Sequence, residues 1–144
     1  MNYADTGFLC SLYAQDAHSP RAIAAMVRRK EPLAFVWLHQ LEFRNALRLR
    51  VFRREITAKQ RDASLNLMLA DLAGGMFEHA SPGIAEVMTE AERLGALHSE
   101  KIGTRSLDIL HVAIALVIAA PKFLTFDKRQ ASLAKAAGLK VPSI

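Results

Sequence analysis

The sequence predicts an α/β fold with a mostly parallel sheet. Short apolar runs alternate along the chain with longer segments of helical periodicity. Turn residues separate many of these segments, as at Glu31-Pro32 and Gly74-Gly75. Strands that alternate with helices usually pair in parallel, because the connection between two parallel strands is long enough to hold a helix.

The apolar runs give the expected strands, of which "MFEHA" is the weakest. In chain order, these strands cover residues 1–4, 33–37, 76–80, 122–126 and 139–141. Helical periodicity and turn residues give the elements between them. The expected helices cover residues 6–15, 21–30, 38–54, 57–75, 81–97, 106–119 and 127–138, and residues 98–103 are expected to form a loop.

Capping residues support several of the helix starts. Thr57 and Gln60 form a T-x-x-Q capping box, in which each side chain bonds to the backbone of the other residue. Ser81-Pro82 combines an N-cap with a first-turn proline. Asp127 and Gln130 form another capping pair. The helices therefore have local start signals in addition to their periodicity.

Composition favours a globular domain over residues 1–144, with 51% hydrophobic and 23% charged residues. The single cysteine, Cys10, excludes an internal disulfide and makes the cytoplasm the expected compartment. The longest apolar segment, residues 107–120, contains Asp108 and His111. It is too short and too polar to cross a bilayer, so we expect a buried helix and no membrane association.

The chain has a modest basic excess, with a formal net charge of +5 and a pI of about 9.7. Much of the positive charge lies near one helix and the turn after it, at Arg44, Arg48, Arg50, Arg53, Arg54, Lys59 and Arg61. This cluster is either a solvated helix surface or a contact surface for phosphates or an acidic partner. The G-x-G-x-x-G and Walker motifs are absent, so nucleotide binding has no support.

Four acidic residues occupy comparable places in the predicted topology. Asp5 and Asp127 each follow a strand, whereas Glu42 and Asp108 lie in the first turns of helices. The crevice of an open α/β sheet lies outside the carboxyl ends of its strands. We therefore expect these acids to face one cleft.

Each acid also has a purely structural interpretation. Asp5 and Asp127 are suitable N-caps, and Asp108 suits the positive end of a helix. Glu42 could pair with a nearby arginine, such as Arg44 or Arg48. These interpretations stay open until the positions of the four carboxylates are compared.

Several carboxylates in one cleft need compensation. Two unit charges at ~4 Å repel by roughly 4 kcal/mol at an effective dielectric of ~20. Either some carboxylates take up protons or a cation neutralises them. An all-oxygen donor set suits Mg²⁺ or Mn²⁺. Zinc is not expected, because His39, His79, His98 and His111 are scattered along the chain.

Other polar residues lie beside these acids. Thr6 and Thr125 supply hydroxyls, and Asn45 shares a helix face with Glu42. His111, three residues after Asp108, is either a functional contributor or a buried, hydrogen-bonded side chain. The aromatic content of 7% gives little support for base stacking as a mode of recognition.

Four stretches together resemble the PIN-domain family, and are most similar to the VapC toxins of bacterial toxin–antitoxin pairs. "YADTGFLCSLY" resembles the opening of the family, with an acid after a short strand. "LEFRNAL" resembles its Glu-plus-Asn helix, and "TRSLDILHVAIA" the block with an aspartate and a following histidine. "FLTFDKRQASLAKAAGLKV" resembles the closing strand, acid, helix and strand. Their order and spacing agree across essentially the whole chain.

The resemblance implies a PIN-like three-layer fold, with a short sheet of about four to five strands between helices. It implies a metal-dependent endoribonuclease with Asp5, Glu42, Asp108 and Asp127 as catalytic residues. We expect Asp5, Asp108 and Asp127 to bind Mg²⁺ or Mn²⁺, and Glu42 to bind metal or to act as a base. Thr6, Asn45 and Thr125 would support the site.

The resemblance also implies an RNA substrate, a small antitoxin partner and a homodimer. Arg44 and Arg48 are candidate contacts to RNA or to the partner. One residue departs from the family pattern, because Gly7 stands where a serine or threonine commonly follows the Asp-Thr pair. Two alternatives stay open: a nuclease for RNA processing or turnover without a toxin role, and a non-catalytic module that binds RNA or protein.

Overall fold

The centre of the molecule is a layer of short parallel strands. The computed structural model describes residues 1–29 and 31–144. The strands are β1 (Tyr3–Ala4), β2 (Leu33–Phe35), β3 (Phe77–His79) and β4 (Phe123–Leu124). β1 pairs with β4, with Tyr3 opposite Phe123, and β2 pairs with β3.

Isolated bridges complete this layer. A parallel bridge between Asn2 and Leu33 connects the two strand pairs, and a bridge between Lys122 and Lys140 adds the chain after the last helix. The spatial order is therefore β3, β2, β1, β4 and the segment at Lys140. The predicted α/β fold with a short parallel sheet is confirmed.

Helices connect the strands and cover the sheet. They are α1 (Thr6–Tyr13), α2 (Ser19–Val27), α3 (Trp37–Phe52), α4 (Ala58–Ala73), α5 (Ile84–Ile102), α6 (Ser106–Val117) and α7 (Lys128–Ala136). The capping box at Thr57 is present, because the Gln60 N–H donates to Thr57 Oγ1 and the Thr57 N–H to Gln60 Oε1. Asp127 caps α7 as predicted.

The element boundaries differ from the sequence prediction in several places. The predicted loop over residues 98–103 is wrong, because α5 continues to Ile102 and ends at Gly103, which has a φ of 71°. Its last turn is supported by Ile102, which packs on the core. The final predicted strand is reduced to the bridge at Lys140. The predicted end of the second helix, Lys30, lies outside the described residues.

The sheet separates two hydrophobic clusters, because alternate residues of a strand point to opposite faces. In β1, Tyr3 belongs to one cluster and Ala4 to the other. In β4, Phe123 and Leu124 divide in the same way. The first cluster contains residues of α5, α6 and α7, and the second contains residues of α1 to α4. Burial on both faces explains the three-layer arrangement.

The most apolar helix, α6, lies inside the first cluster. Its residues from His111 to Ala115 are all buried. It is the buried helix predicted for this part of the sequence. Over residues 1–29 and 31–144, no helix has both the length and the apolar character needed to span a membrane.

Candidate active site

Asp5 lies directly after β1, at the carboxyl end of the sheet, and it is held by two hydrogen bonds. It caps α1, since the Phe8 N–H donates to Asp5 Oδ1 at 2.7 Å. Thr125, which follows β4, donates its hydroxyl to Asp5 Oδ2 at 2.5 Å. Burial raises the pKa of Asp5 above its ordinary value, although the Thr125 hydrogen bond opposes this.

Glu42 lies one turn into α3 and is bound by side chains from two other helices. The Glu42 Oε2 atom is 2.5 Å from His111 Nε2 and accepts a hydrogen bond from Thr6 Oγ1 at 3.0 Å. Burial alone would raise the pKa of Glu42, but the bonds from His111 and Thr6 lower it below its ordinary value. Glu42 is therefore held as a carboxylate.

His111 connects this carboxylate to the core. Its Nδ1 atom is 2.7 Å from the hydroxyl of Tyr3, which is fully buried on β1. With Nε2–H donating to Glu42, Nδ1 accepts the proton of the Tyr3 hydroxyl. His111 is thus the buried, hydrogen-bonded side chain of one interpretation that the sequence left open, and it also holds Glu42 in place.

Asp108 and Asp127 each hold a helix end and also face the cleft. The Asp108 Oδ2 atom accepts from the Arg105 backbone N–H at 3.3 Å and pairs with Arg105 Nε at 3.2 Å. Asp127 Oδ1 accepts the backbone N–H groups of Arg129 and Gln130. The structural interpretations of these acids are therefore correct, and they leave one oxygen of each carboxylate unused.

All four acids line one open cleft of about 580 Å³. The cleft is lined by more carboxylates than guanidinium groups: Asp5, Asp16, Glu42, Glu55, Asp108 and Asp127 against Arg50, Arg53 and Arg105. Two of these arginines are paired, Arg50 with Glu55 and Arg105 with Asp108. The cleft therefore carries an excess of negative charge that attracts cations.

The cleft presents oxygen donors to a divalent cation. Within the described ranges, Glu42 Oε1, Asp108 Oδ1 and Asp127 Oδ2 accept no hydrogen bond from the protein. Over the same residues, no three His, Cys, Asp or Glu side chains are grouped closely enough to enclose a metal ion. Mg²⁺ usually keeps several waters and binds one or two carboxylates together with substrate phosphates. The donor set thus fits a hydrated hard cation and does not fit a closed cage.

The structure separates the other predicted residues into two groups. Thr6 and Thr125 bond to Glu42 and Asp5, respectively. Asn45 is exposed and does not line the cleft. Arg44 and Arg48 also lie outside its lining, and Glu42 pairs with His111 and with neither arginine.

Some residues of the site were missed by the sequence reasoning. Tyr3 and Gln130 support it from the core, since Gln130 Oε1 is 3.1 Å from Thr125 Oγ1. Arg50 and Arg53, two members of the basic cluster identified in the sequence, add positive charge from the end of α3. The basic run of residues 44–61 was a signal for these arginines, but helical phase selects which members face the cleft.

Gly7 lies at the mouth of the cleft, beside Asp5. A Cβ atom built at this glycine would be 3.5 Å from Asp5 Oδ1, an ordinary van der Waals distance. A serine would therefore fit here and bring a hydroxyl next to the carboxylate. In this chain, Asp5 instead receives its hydroxyl contact from Thr125.

Three solved structures resemble this one over nearly their full length. One is the sarcin-ricin loop cleaving toxin VapC20 of Mycobacterium tuberculosis, with a TM-score of 0.70 and 16% identity over 96% of each chain. The second is FitAcB of Neisseria gonorrhoeae, with a TM-score of 0.68 and 14% identity over 99% of this chain and 97% of that one. The third is VapBC2 of Rickettsia felis, bound to a DNA fragment from its promoter, with a TM-score of 0.65 and 13% identity over 99% of this chain and 98% of that one.

These similarities show the fold. No protein-family model and no curated protein matches the sequence. The chain has the PIN-like α/β fold that its sequence predicts and that these three structures share, and the likeness extends over 96% or more of its length.

Proposed function

We propose that the chain is a metal-dependent endoribonuclease and acts as the toxin of a toxin–antitoxin pair. The observation that carries this proposal is the set of free carboxylate oxygens on one cleft, from Glu42, Asp108 and Asp127. Such oxygens bind a hard cation, and hydrolysis of a phosphodiester is a reaction that such a cation promotes.

Individual side chains of the cleft have separate roles in the proposed hydrolysis. Glu42 is the proposed general base, because it is ionised at neutral pH and one of its oxygens is free to accept a proton from water. His111 and Thr6 hold the other oxygen and so orient the carboxylate. Arg53 lines the cleft and is in position to bind a phosphate oxygen.

The proposed cation, Mg²⁺ or Mn²⁺, would bind one or two of the carboxylates of Asp5, Asp108 and Asp127 directly and would reach the rest of this set through its water ligands. A bound divalent ion offsets charge on the phosphate oxygens and lowers the pKa of water. Asp5 is kept in place by Phe8 and Thr125, and each of its oxygens retains a lone pair for a further contact.

The similar structures support RNA as the substrate. VapC20 is described as a toxin that cleaves the sarcin-ricin loop, and this chain has the same fold over 96% of its length. FitAcB and VapBC2 are complexes whose fold this chain shares, and they support a partner protein of the antitoxin kind.

Exposed apolar residues on α3 and α4 give surfaces for an antitoxin and for a second copy of the chain. Phe52 is 83% exposed, Leu41 66% and Leu67 59%. Exposed aromatic and aliphatic side chains are typical of protein–protein contacts. We propose that these residues are covered in the toxin–antitoxin complex or in the homodimer.

Cleavage of a mixed RNA pool tests the proposal. Wild-type protein should cleave RNA with Mg²⁺ or Mn²⁺ and not with a chelator, and Asp5→Asn should lower the rate at least about 100-fold. Glu92→Gln is the matched control, since this exposed acid of α5 lies outside the cleft. Equal rates for wild type and Asp5→Asn would contradict the proposal. RNA that binds but stays intact would favour a binding module.

A further inference from the structure

Two more cavities continue from the acid-lined cleft around the molecule. The first, which we call the middle groove, has a volume of about 340 Å³ and shares His18, Phe126 and Asp127 with the cleft. The second, the basic cavity, has a volume of about 660 Å³. It shares Arg21 and residues 142–144 with the middle groove. Each opening thus shares lining residues with the next, so the three mark a path along the surface, and the Arg21 guanidinium donates to the Ile144 carbonyl where the last two openings meet.

The charge reverses along this path. The basic cavity is lined by five cationic side chains and one carboxylate: Arg21, Arg28, Arg29, Lys122 and Lys140 against Glu31. The middle groove adds Lys128 and Lys135. Among the described residues, Arg28, Lys122 and Lys140 form no ion pair within 4.0 Å. These cations are free to bind an anion from solution.

Buried polar atoms at the basic cavity lack partners. Asn2 is fully buried and lines this cavity, and its Oδ1 atom has no hydrogen-bond partner within the described part of the chain. The same holds for Nε and Nη1 of Arg29. An unsatisfied buried polar atom usually indicates a missing ligand or water. Here the free groups are a hydrogen-bond acceptor and several donors.

An aromatic stack lies between the acid cleft and the basic cavity. The rings of His18 and Phe126 are 4.4 Å apart and nearly parallel, at 10°. Arg21 adds a cation at 5.4 Å from the centre of the Phe126 ring. His18 is exposed, so a planar group can stack on its outer face.

We propose that the basic cavity is an RNA-backbone site, which holds a strand that runs through the middle groove from the acid cleft. Arg28, Lys122 and Lys140 bind phosphates, and His18 stacks on a base between the two ends of the path. The proposal rests on the nuclease function proposed above for the choice of RNA, and it extends that function to a second, distant part of the substrate.

The donors of this cavity match RNA well. Guanidinium and ammonium groups suit phosphate oxygens. The Asn2 Oδ1 atom has almost no exposed surface, so it does not itself contact the strand. The cavity is also large enough for a ligand of nucleotide size.

The test compares RNA strands of two lengths, with binding measured by fluorescence anisotropy in a chelator so that cleavage does not occur. Lys122→Ala/Lys140→Ala should weaken binding of a 12-nucleotide strand about 10-fold and leave a trinucleotide unaffected. The slope of log K against log salt should also fall by about 1.4 for the two lost contacts. Arg93→Ala/Lys101→Ala is the control, with the same loss of charge at exposed positions of α5 outside these cavities.

Two results would overturn the proposal. One is equal binding of the long strand by the two double variants, with both folded as judged by thermal unfolding. The other is that a poly-glutamate peptide of equal charge binds as tightly as RNA, with an affinity that depends equally on Lys122 and Lys140. A chain that cleaves no RNA but retains the length-dependent loss would refute the nuclease and leave this binding site standing.

Discussion

At the scale of single residues, Asp5 is both a helix cap and a proposed metal ligand, and the buried charge that a metal needs opposes stability. It caps α1 through Phe8 and accepts the hydroxyl of Thr125. Burial raises its pKa above the ordinary value, which means that folding disfavours the ionised form. The stability that neutral Asp5 contributes is present below its unfolded-state pKa and is lost as pH rises through its folded-state pKa. At neutral pH, the carboxylate therefore reduces stability.

Asp5→Asn should raise the free energy of unfolding of the metal-free protein at pH 7. Asparagine retains the N-cap acceptor for Phe8, and its amide can donate to Thr125 Oγ1 while Thr125 donates to Gln130 Oε1. Asp5→Ala is the comparison, and the loss of the cap should lower stability by about 1 kcal/mol. Urea unfolding in a chelator measures both effects. An Asp5→Asn protein less stable than wild type would contradict this account of the buried charge.

The positions of the acids could be predicted from sequence, whereas their partners could not. Asp5 and Asp127 follow apolar runs, and this local pattern is enough to place them at one end of the sheet. The bond between Glu42 and His111 joins residues 69 positions apart in the chain. No local pattern encodes such a contact, because it depends on how α3 and α6 pack. Asn45 is exposed and does not line the cleft, which also depends on how α3 packs.

At the scale of elements, the start of α3 depends on a buried histidine. His39 Nδ1 accepts the Val36 N–H at 3.3 Å, and its Nε2 donates to the carbonyl of Ala4 at 2.8 Å. The helix is thereby joined to β1. Burial lowers the pKa of His39 to about 3, and His111 nearby adds to this.

The protein should lose stability on acidification because of His39. Folding lowers the pKa of His39. The stability that this group contributes is therefore fully present above its unfolded-state pKa of 6.5 and is lost as pH falls toward its folded-state pKa of about 3. One such group contributes a slope of about 1.4 kcal/mol per pH unit within this window. His39→Gln retains an acceptor for the helix cap, and it should flatten the slope between pH 6 and pH 5 by about this amount. Unchanged slopes in chemical unfolding would contradict the assignment.

The boundaries of elements were predicted less well than their order. The capping box at Thr57 identified a helix start, because its two bonds are local. The end of α5 was placed too early, since His98 to Lys101 give no strong helical signal alone. Packing of α5 on α6 supports this turn, and Gly103 then ends it in the left-handed region.

At the scale of the whole molecule, the sheet gathers distant acids because both of its faces are covered by helices. The buried clusters on the two sides hold the strands in register, and the carboxyl ends of β1 and β4 open at one edge. Asp5 and Asp127 follow these strands, and Glu42 and Asp108 lie near the starts of helices that begin at the same edge. The fold therefore concentrates negative charge in the acid-lined cleft and positive charge in the basic cavity.

The most direct measurement of the central claim is the thermal unfolding of the metal-free protein with and without Mg²⁺ or Mn²⁺. Free cation at tenfold excess over its dissociation constant stabilises a folded protein by about 1.4 kcal/mol, or about 4 °C for a chain of this size. We expect this rise in Tm for wild type and for the Glu92→Gln control, and a much smaller rise for Asp108→Asn and Asp127→Asn. A wild-type Tm that is indifferent to millimolar Mg²⁺ and Mn²⁺, or an equal rise in all four proteins, would contradict a cation site built from these acids.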